Sequence, residues 1–248
     1  MVTVATTSFI WRRDRVDRLN AQYEGMAPEQ VIRHACSVEF PGRLGVVSSF
    51  GAESVVLLHL VASADRALPV VFLDTGKHFP ETIAYRDLIV DRLGLTNVVV
   101  TTPRPEQLQT SDPEGRLHAT DPDLCCHVRK TLPMISALQP FDCYFTGRKR
   151  YQGESRAALN CVELQDRWFK INPLASVGRG YMRAYMSEHH LPAHPLVARG
   201  YPSIGCQPCT ASVAAGEPER AGRWANSEKT ECGIHFSDSG KLLRSGSQ

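Results

Sequence analysis

A chain of 248 residues with 42% hydrophobic and 22% charged residues can bury one large α/β domain or two small ones. A formal net charge of +2 excludes a surface that binds through bulk positive charge, so any basic site must be local and no nucleic-acid partner is expected. No apolar run approaches a bilayer span, since residues 55–61 are interrupted by His59, and residues 11–18 are charged where a secretory signal would be apolar, so neither a membrane nor an exported location is expected.

The elements follow in chain order. Residues 12–35 carry a weak helical pattern, enough for one or two helices. Residues 44–48 read as a short buried strand. Over 53–64, Val56, Leu57, Leu60 and Val61 recur on one helical face. Residues 69–73 are β-branched and bounded by Pro and Gly, hence a second strand. Residues 81–93 are helical again, with Ile83, Leu88, Ile89 and Leu93 apolar and Gly94 at the C-cap position. A third strand follows at 97–102, a helix interrupted near Pro133 at 123–138, and a fourth strand at 142–146. This alternation predicts a parallel sheet flanked by helices. After about residue 175 Gly and Pro become frequent and short helices and loops are expected. The reading is a single domain over 1–225 and a flexible C-terminal segment, 226–248, that carries Cys232.

The expected compartment is the cytoplasm, where clustered cysteines point to metal or redox chemistry rather than to disulfides. Of the eight cysteines, four form two pairs: Cys125-Cys126, and Cys206-Gln207-Pro208-Cys209. A C-x-x-C in a Gly/Pro-rich loop can turn both thiolates toward one centre, and a second pair from a helix completes a four-cysteine set, as in [4Fe–4S] clusters and structural zinc. The adjacent pair favours the cluster. Neighbours on a helix diverge by about 100° and reach one small ion only with strain, whereas irons that are spread apart accept both more easily. Cys232 lies in a polar tail with little to pack against. Lys229 and His235 favour its thiolate and Glu231 opposes it. Cys36, Cys143 and Cys161 sit in or beside apolar segments and read as small core residues.

Three loops carry anion-binding features. Ser48-Ser49-Phe50-Gly51-Ala52-Glu53-Ser54 joins the first strand to its helix; Gly51 lets the backbone turn, and helix-start N–H groups would face a phosphate or sulfate. Asp74-Thr75-Gly76 follows the second strand, and Arg148, Lys149 and Arg150 follow the fourth. All lie at the carboxyl edge of the sheet, where open α/β sheets bind ligands, and together they read as one nucleotide site.

With these motifs in this order, the chain resembles the assimilatory adenylyl-sulfate (APS) and phosphoadenylyl-sulfate (PAPS) reductases from about residue 40 to 236. The resemblance rests on Ser-Ser-Phe-Gly-Ala-Glu at 48–53, Leu-Asp-Thr-Gly at 73–76, Pro-Glu-Thr at 80–82, Cys-Cys-His-Val-Arg-Lys at 125–130 and Thr-Gly-Arg-Lys-Arg at 146–150. It continues through Asn-Pro-Leu at 172–174, Ser-Ile-Gly-Cys-Gln-Pro-Cys-Thr at 203–210, Glu-Arg-Ala-Gly-Arg-Trp at 219–224 and Glu-Cys-Gly-Ile-His at 231–235. It implies a Rossmann-like fold of the adenine nucleotide α-hydrolase type and one [4Fe–4S] cluster on Cys125, Cys126, Cys206 and Cys209. Ser48, Ser49, Phe50, Gly51 and Glu53 would hold the phosphosulfate end and ribose. Leu73, Asp74, Thr75 and Gly76 would lie against adenine. Lys130 would stand between cluster and substrate, Arg220 and Arg223 would clamp the anionic groups, and Cys232 would be the nucleophile. Gly147, Arg148, Arg150, Arg156, Trp224 and His235 join the substrate-binding set by the same resemblance.

The paired cysteines mark the cluster-bearing, mostly APS-specific branch of that family. The resemblance therefore implies thioredoxin-dependent reduction of APS to sulfite and AMP through a Cys232 S-sulfonate, in sulfate assimilation for cysteine biosynthesis. No resolving cysteine stands beside Cys232, which points to an external thioredoxin or glutaredoxin-type reductant. Departures from the family pattern are Arg148 where Gln is frequent, Tyr151-Gln152 where Asp-Gln is frequent, and an altered segment after Leu174 in which Gly180 should weaken a helix. They leave the roles of Arg148, Arg150 and Arg156 open. The other readings are a PAPS or dual-substrate reductase, an ATP pyrophosphatase-type RNA thiolase, and a zinc-stabilised binding module. The thiolase would carry Ser-Gly-Gly-x-Asp-Ser where this chain has residues 49–54. Assembly into a homo-oligomer is among the expectations.

Overall fold

A computed structural model describes residues 4–225 together with Lys229, Glu231 and Cys232. The rest of the expected tail, His235 included, lies outside the described residues.

Two helices come first, α1 (Val4–Tyr23) and α2 (Pro28–His34). The sheet then begins with β1 (Leu44–Val47), α3 (Ser54–Ala64), β2 (Val70–Leu73), α4 (Pro80–Leu93) and β3 (Val98–Thr101). The short helices α5 (Pro105–Ser111), α6 (Leu117–Thr120), α7 (Pro122–Cys126) and α8 (Leu132–Ala137) lead to β4 (Cys143–Phe145). A hairpin of β5 (Val162–Gln165) and β6 (Trp168–Ile171) follows, then α9 (Arg179–Glu188). The strands form one sheet in the order β3-β2-β1-β4-β6-β5. All neighbours are parallel except β5 with β6. The expected parallel sheet flanked by helices is therefore the fold, with an antiparallel edge added by a hairpin that the sequence reading missed.

Burial explains the segments that were legible. β2 is buried at all four positions, the continuous apolar run of a strand covered on both faces. α3 buries Val55 and Leu58 as well as the predicted face, because it lies between the sheet and α2, α4 and α9. α4 stops where Gly94 takes φ 62° and returns its N–H to the last turn, as the C-cap position requires. Leu88 departs from its expected role: it is exposed, and Tyr85 fills the buried face instead. On the opposite side of the sheet, Met134 and Leu138 from the α8 region close a second core over Val71, Leu73, Tyr144 and Trp168.

Two local features position the site. Between α7 and α8, residues His127–Thr131 form a π turn. Pro133 lacks an N–H and its ring crowds the carbonyl one turn earlier, and the wider turn relieves that conflict. The predicted interruption is thus a π turn, and it carries Arg129 and Lys130. At the far edge, Asn20 of α1 seals β5: its Nδ2 donates to Val162 O at 2.8 Å and its Oδ1 accepts from Val162 N at 2.8 Å. Among the described residues no helix is long and apolar enough to cross a membrane.

Candidate active site

The strand order reverses between β1 and β4, and the loops leaving their carboxyl ends diverge around a cavity of about 220 Å3. One wall is the loop into α3. Ser48 Oγ accepts from Phe50 N at 3.2 Å, which tightens the turn. Phe50 takes φ 47° and buries its ring in the core against Phe72, 5.6 Å away edge to face. Its side chain therefore anchors the loop and is not part of the cavity lining, while Ser48, Ser49, Gly51 and Glu53 do line it.

The opposite wall follows β4. Gly147 and Arg148 line the cavity as expected, and Lys149 and Gln152 join them. Arg150 departs from its expected place: it is exposed, absent from the cavity lining, and donates from Nε to Leu159 O at 2.8 Å. Lys149 is only 2% exposed and pairs with Glu53 Oε2 at 3.1 Å. Glu53 also accepts from Tyr151 Oη at 2.6 Å and Gln152 Nε2 at 3.2 Å. Tyr151-Gln152, the departure from the family pattern, thus fixes a carboxylate in the cavity wall. Burial lowers the Lys149 pKa, and Glu53 partly restores it.

Cations close the remaining sides. Arg148 donates to Glu163 at 2.8 Å, while its Nε has no partner among the described residues. Arg223 lies 4.4 Å over the Trp224 ring, and both Arg223 Nε and Trp224 Nε1 are buried without a partner among the described residues. Unpaired buried donors beside a cavity fit an anionic or acceptor-rich ligand. Arg156 and Arg220 reach the carboxylate of Glu231, and burial lowers Arg220 to about 10 despite that carboxylate.

Cys232 lies at the same cavity. Lys130 Nζ donates to Cys232 Sγ at 3.4 Å, and Cys232 Sγ stands 3.8 Å from Cys126 Sγ. Burial works against the charge on Lys130, but the negative charge that Cys206, Cys232 and Cys126 carry as thiolates outweighs it and its pKa is raised. Lys130 also lines a second, much smaller cavity of about 10 Å3, into which Cys125, Cys126, Cys206 and Cys209 all open. The four cysteines come from the end of α7 and from a tight turn at Gln207–Cys209. Among the described residues, no group of three or more Cys, His, Asp or Glu side chains is arranged to hold a metal ion. Burial pushes the Cys125 thiol up to about 11, so a metal that takes it as thiolate must displace a proton.

The segment expected against adenine divides between the two cavities. Leu73 lines the large one. Thr75 is fully buried and turned to the cysteines, its Oγ1 3.2 Å from Cys206 Sγ. Asp74 caps Gly76 N at 2.9 Å, and Gly76 takes φ 68°; neither lines the large cavity. His78 was not anticipated there. It donates from Nε2 to Leu73 O at 2.9 Å and lines the large cavity, and burial is the main cause that lowers its pKa. Its bridge to Cys206, a contact across more than a hundred residues, left no local sequence signal.

Residues 43–212 match the profile described as the phosphoadenosine phosphosulfate reductase domain. A protein of Chelativorans sp. (strain BNC1) named adenosine 5'-phosphosulfate reductase is 51% identical, over 88% of this chain and 89% of its own. A protein of the same name from Mesorhizobium japonicum is 49% identical, over 88% and 86%. The crystal structure of phosphoadenylyl-sulfate (PAPS) reductase from Candida auris, a phosphate complex, aligns with a TM-score of 0.69 at 25% identity, over 81% of this chain and 97% of that one.

Proposed function

Because the chain belongs to the phosphoadenosine phosphosulfate reductase family, we propose that it reduces adenylyl sulfate to sulfite and AMP with Cys232 as nucleophile. The observation that carries this reading is the thiol of Cys232 at 3.4 Å from Lys130 Nζ, beside a cavity lined by Arg148, Arg156, Arg220 and Arg223.

The physical problem is to bring a thiolate to an anionic sulfate. Lys130 stabilises the thiolate, and the arginines offset the repulsion and orient the phosphosulfate for in-line attack. A bond forms between Cys232 Sγ and the sulfate sulfur as the bond from that sulfur to the AMP phosphate oxygen breaks. AMP carries away the electron pair and the enzyme holds an S-sulfonate. A thiolate of an external dithiol then attacks Cys232 Sγ and releases sulfite. The second thiol of that reductant resolves the mixed disulfide, so the dithiol supplies both electrons. A thioredoxin or glutaredoxin-type protein has the required chemistry, and the role belongs to sulfate assimilation for cysteine biosynthesis in the cytoplasm.

Cys125, Cys126, Cys206 and Cys209 would hold a [4Fe–4S] cluster. When bound it would supply fixed charge beside Lys130 and tie α7 to the turn at Gln207–Cys209. APS is preferred over PAPS on the paired cysteines and on the names of the two relatives. The proposed organisation is one domain over 1–225 with a C-terminal segment that delivers Cys232.

The test is anaerobic incubation with 35S-labelled APS or PAPS without reductant. Label on Cys232 from APS, released as sulfite by thioredoxin, is the expected result. Equal label from PAPS would keep the mechanism and widen the substrate. No label from either would remove the function.

A further inference from the structure

The residue beside Cys232 was expected only to oppose its thiolate, but its carboxylate is directed elsewhere. Glu231 Oε1 accepts from Arg156 Nε at 2.5 Å, and Oε2 accepts from Arg156 Nη2 at 2.8 Å, a two-bond fork. Arg220 Nη2 adds a bond at 3.3 Å and Ser155 Oγ another at 3.3 Å. Burial opposes the charge on Glu231, yet these arginines with Arg148 hold its pKa down to about 2. Two residues earlier, Lys229 donates to Pro122 O at 3.2 Å and to Asp123 Oδ1, at the start of the helix that ends in Cys125 and Cys126. The segment is thus fastened to both walls by opposite charges, and Cys232 follows directly.

We propose that Glu231 is a positioning residue: acting through Arg156 and Arg220, it sets Cys232 against Lys130 from the place that an incoming oxyanion needs. The remaining Arg156 nitrogen donates to Gln152 Oε1 at 2.6 Å, so its carboxylate-facing edge is wholly engaged by Glu231. A phosphate or sulfate offers the same paired oxygens as a carboxylate. An anion that takes this edge displaces Glu231 from Arg156 only, while the Arg220 bond and the Lys229 contacts keep Cys232 in place, so anion binding competes with the Arg156 fork and not with the whole anchor. The kinetic part of this inference rests on the proposed function, whereas the binding part does not.

Glu231→Gln keeps the size and removes the charge, and Glu231→Asp keeps the charge. In the intact holoprotein, calorimetry should show Glu231→Gln binding AMP about three- to fivefold more tightly, the size of one partly exposed ion pair. In single turnover, its transfer of 35S from APS to Cys232 should be about tenfold slower or more, while Glu231→Asp stays near the parent in both. A merely structural residue would weaken both binding and transfer. Unchanged or weaker AMP binding by Glu231→Gln would overturn the competition, and parental transfer would overturn the positioning. If the parent itself takes no label, the proposed function fails, and the AMP measurement still decides whether Glu231 competes.

Discussion

Lys130 Nζ and Cys232 Sγ lie 3.4 Å apart although 102 residues separate them in the chain. The π turn ahead of Pro133 carries the lysine there, and the Glu231 and Lys229 contacts bring the thiol. Lys130→Met retains length and apolar stem but no charge. Single-turnover transfer of label to Cys232 should fall by about two orders of magnitude, as for loss of one preorganised charge-stabilising donor. Rapid-quench kinetics measures this, and a rate within a factor of two of the parent would remove Lys130 from the chemistry.

The cysteine centre makes a separate prediction. Cys209→Ser should abolish broad visible absorbance and lower iron content. The melting temperature should fall by about 10 °C, the shift expected when a tightly held group is lost from the folded state. The turn at Gln207–Cys209 is also held by Gln207 N donating to Lys77 O at 2.8 Å and Trp224 N donating to Cys209 O at 3.1 Å, and Cys206 before it by the bridge to His78 and the Thr75 contact. A colourless parent that holds one zinc per chain would replace the cluster by a mononuclear site.

Much of this fold could be read from the sequence, for a physical reason. Parallel strands buried on both faces are continuous apolar runs, so β1, β2 and β4 stand out, and Gly94 marks the end of α4. The hairpin does not stand out. β6 includes Lys170, which is 3% exposed and faces Glu163 across the strand pair, and such pairing is invisible in one strand. Its turn uses Asp166 at φ 54° without a following glycine. At the site, residue types announced the loops and cysteines but not side-chain direction. Phe50 turns into the core, Thr75 turns to Cys206, and Arg150 turns away to Leu159. Glu231 looked like an electrostatic liability because its main arginine partner, Arg156, lies 75 residues away in the chain.

Gly205 separates binding from folding. A Cβ there would press on Arg223 Nη2 and lie 2.6 Å from its guanidinium carbon. The obstacle is the end of a flexible side chain, so Gly205→Ala should displace Arg223 and leave the backbone in place. AMP affinity should fall by about tenfold, the loss of one charge-assisted contact, with the melting temperature within about 2 °C of the parent. Calorimetry and a thermal melt on the same sample test it. A large melting shift, or parental affinity, would show that Arg223 does not hold the nucleotide in this way.

His194 governs an acid limb of stability. It is 1% exposed; Nδ1 accepts from Leu196 N at 3.2 Å, so Nε2 carries the proton and donates to Thr82 Oγ1 at 3.1 Å. A second proton on Nδ1 would break the first bond. Burial lowers the pKa from 6.5 to about 4, with Glu81 opposing. Between those values the unfolded chain binds a proton that the folded chain refuses, so stability is full above pH 6.5 and declines as the pH falls toward 4. The loss for this buried group is about 3 kcal/mol at the lower limit. His194→Gln should be less stable than the parent at pH 7.5, because it disturbs a buried site, but should lose less stability between pH 7 and pH 4.5. Urea unfolding midpoints across that range decide the point. Carboxylates contribute equally to both proteins, so the difference between the two curves isolates the histidine, and parallel curves would exclude it as the source.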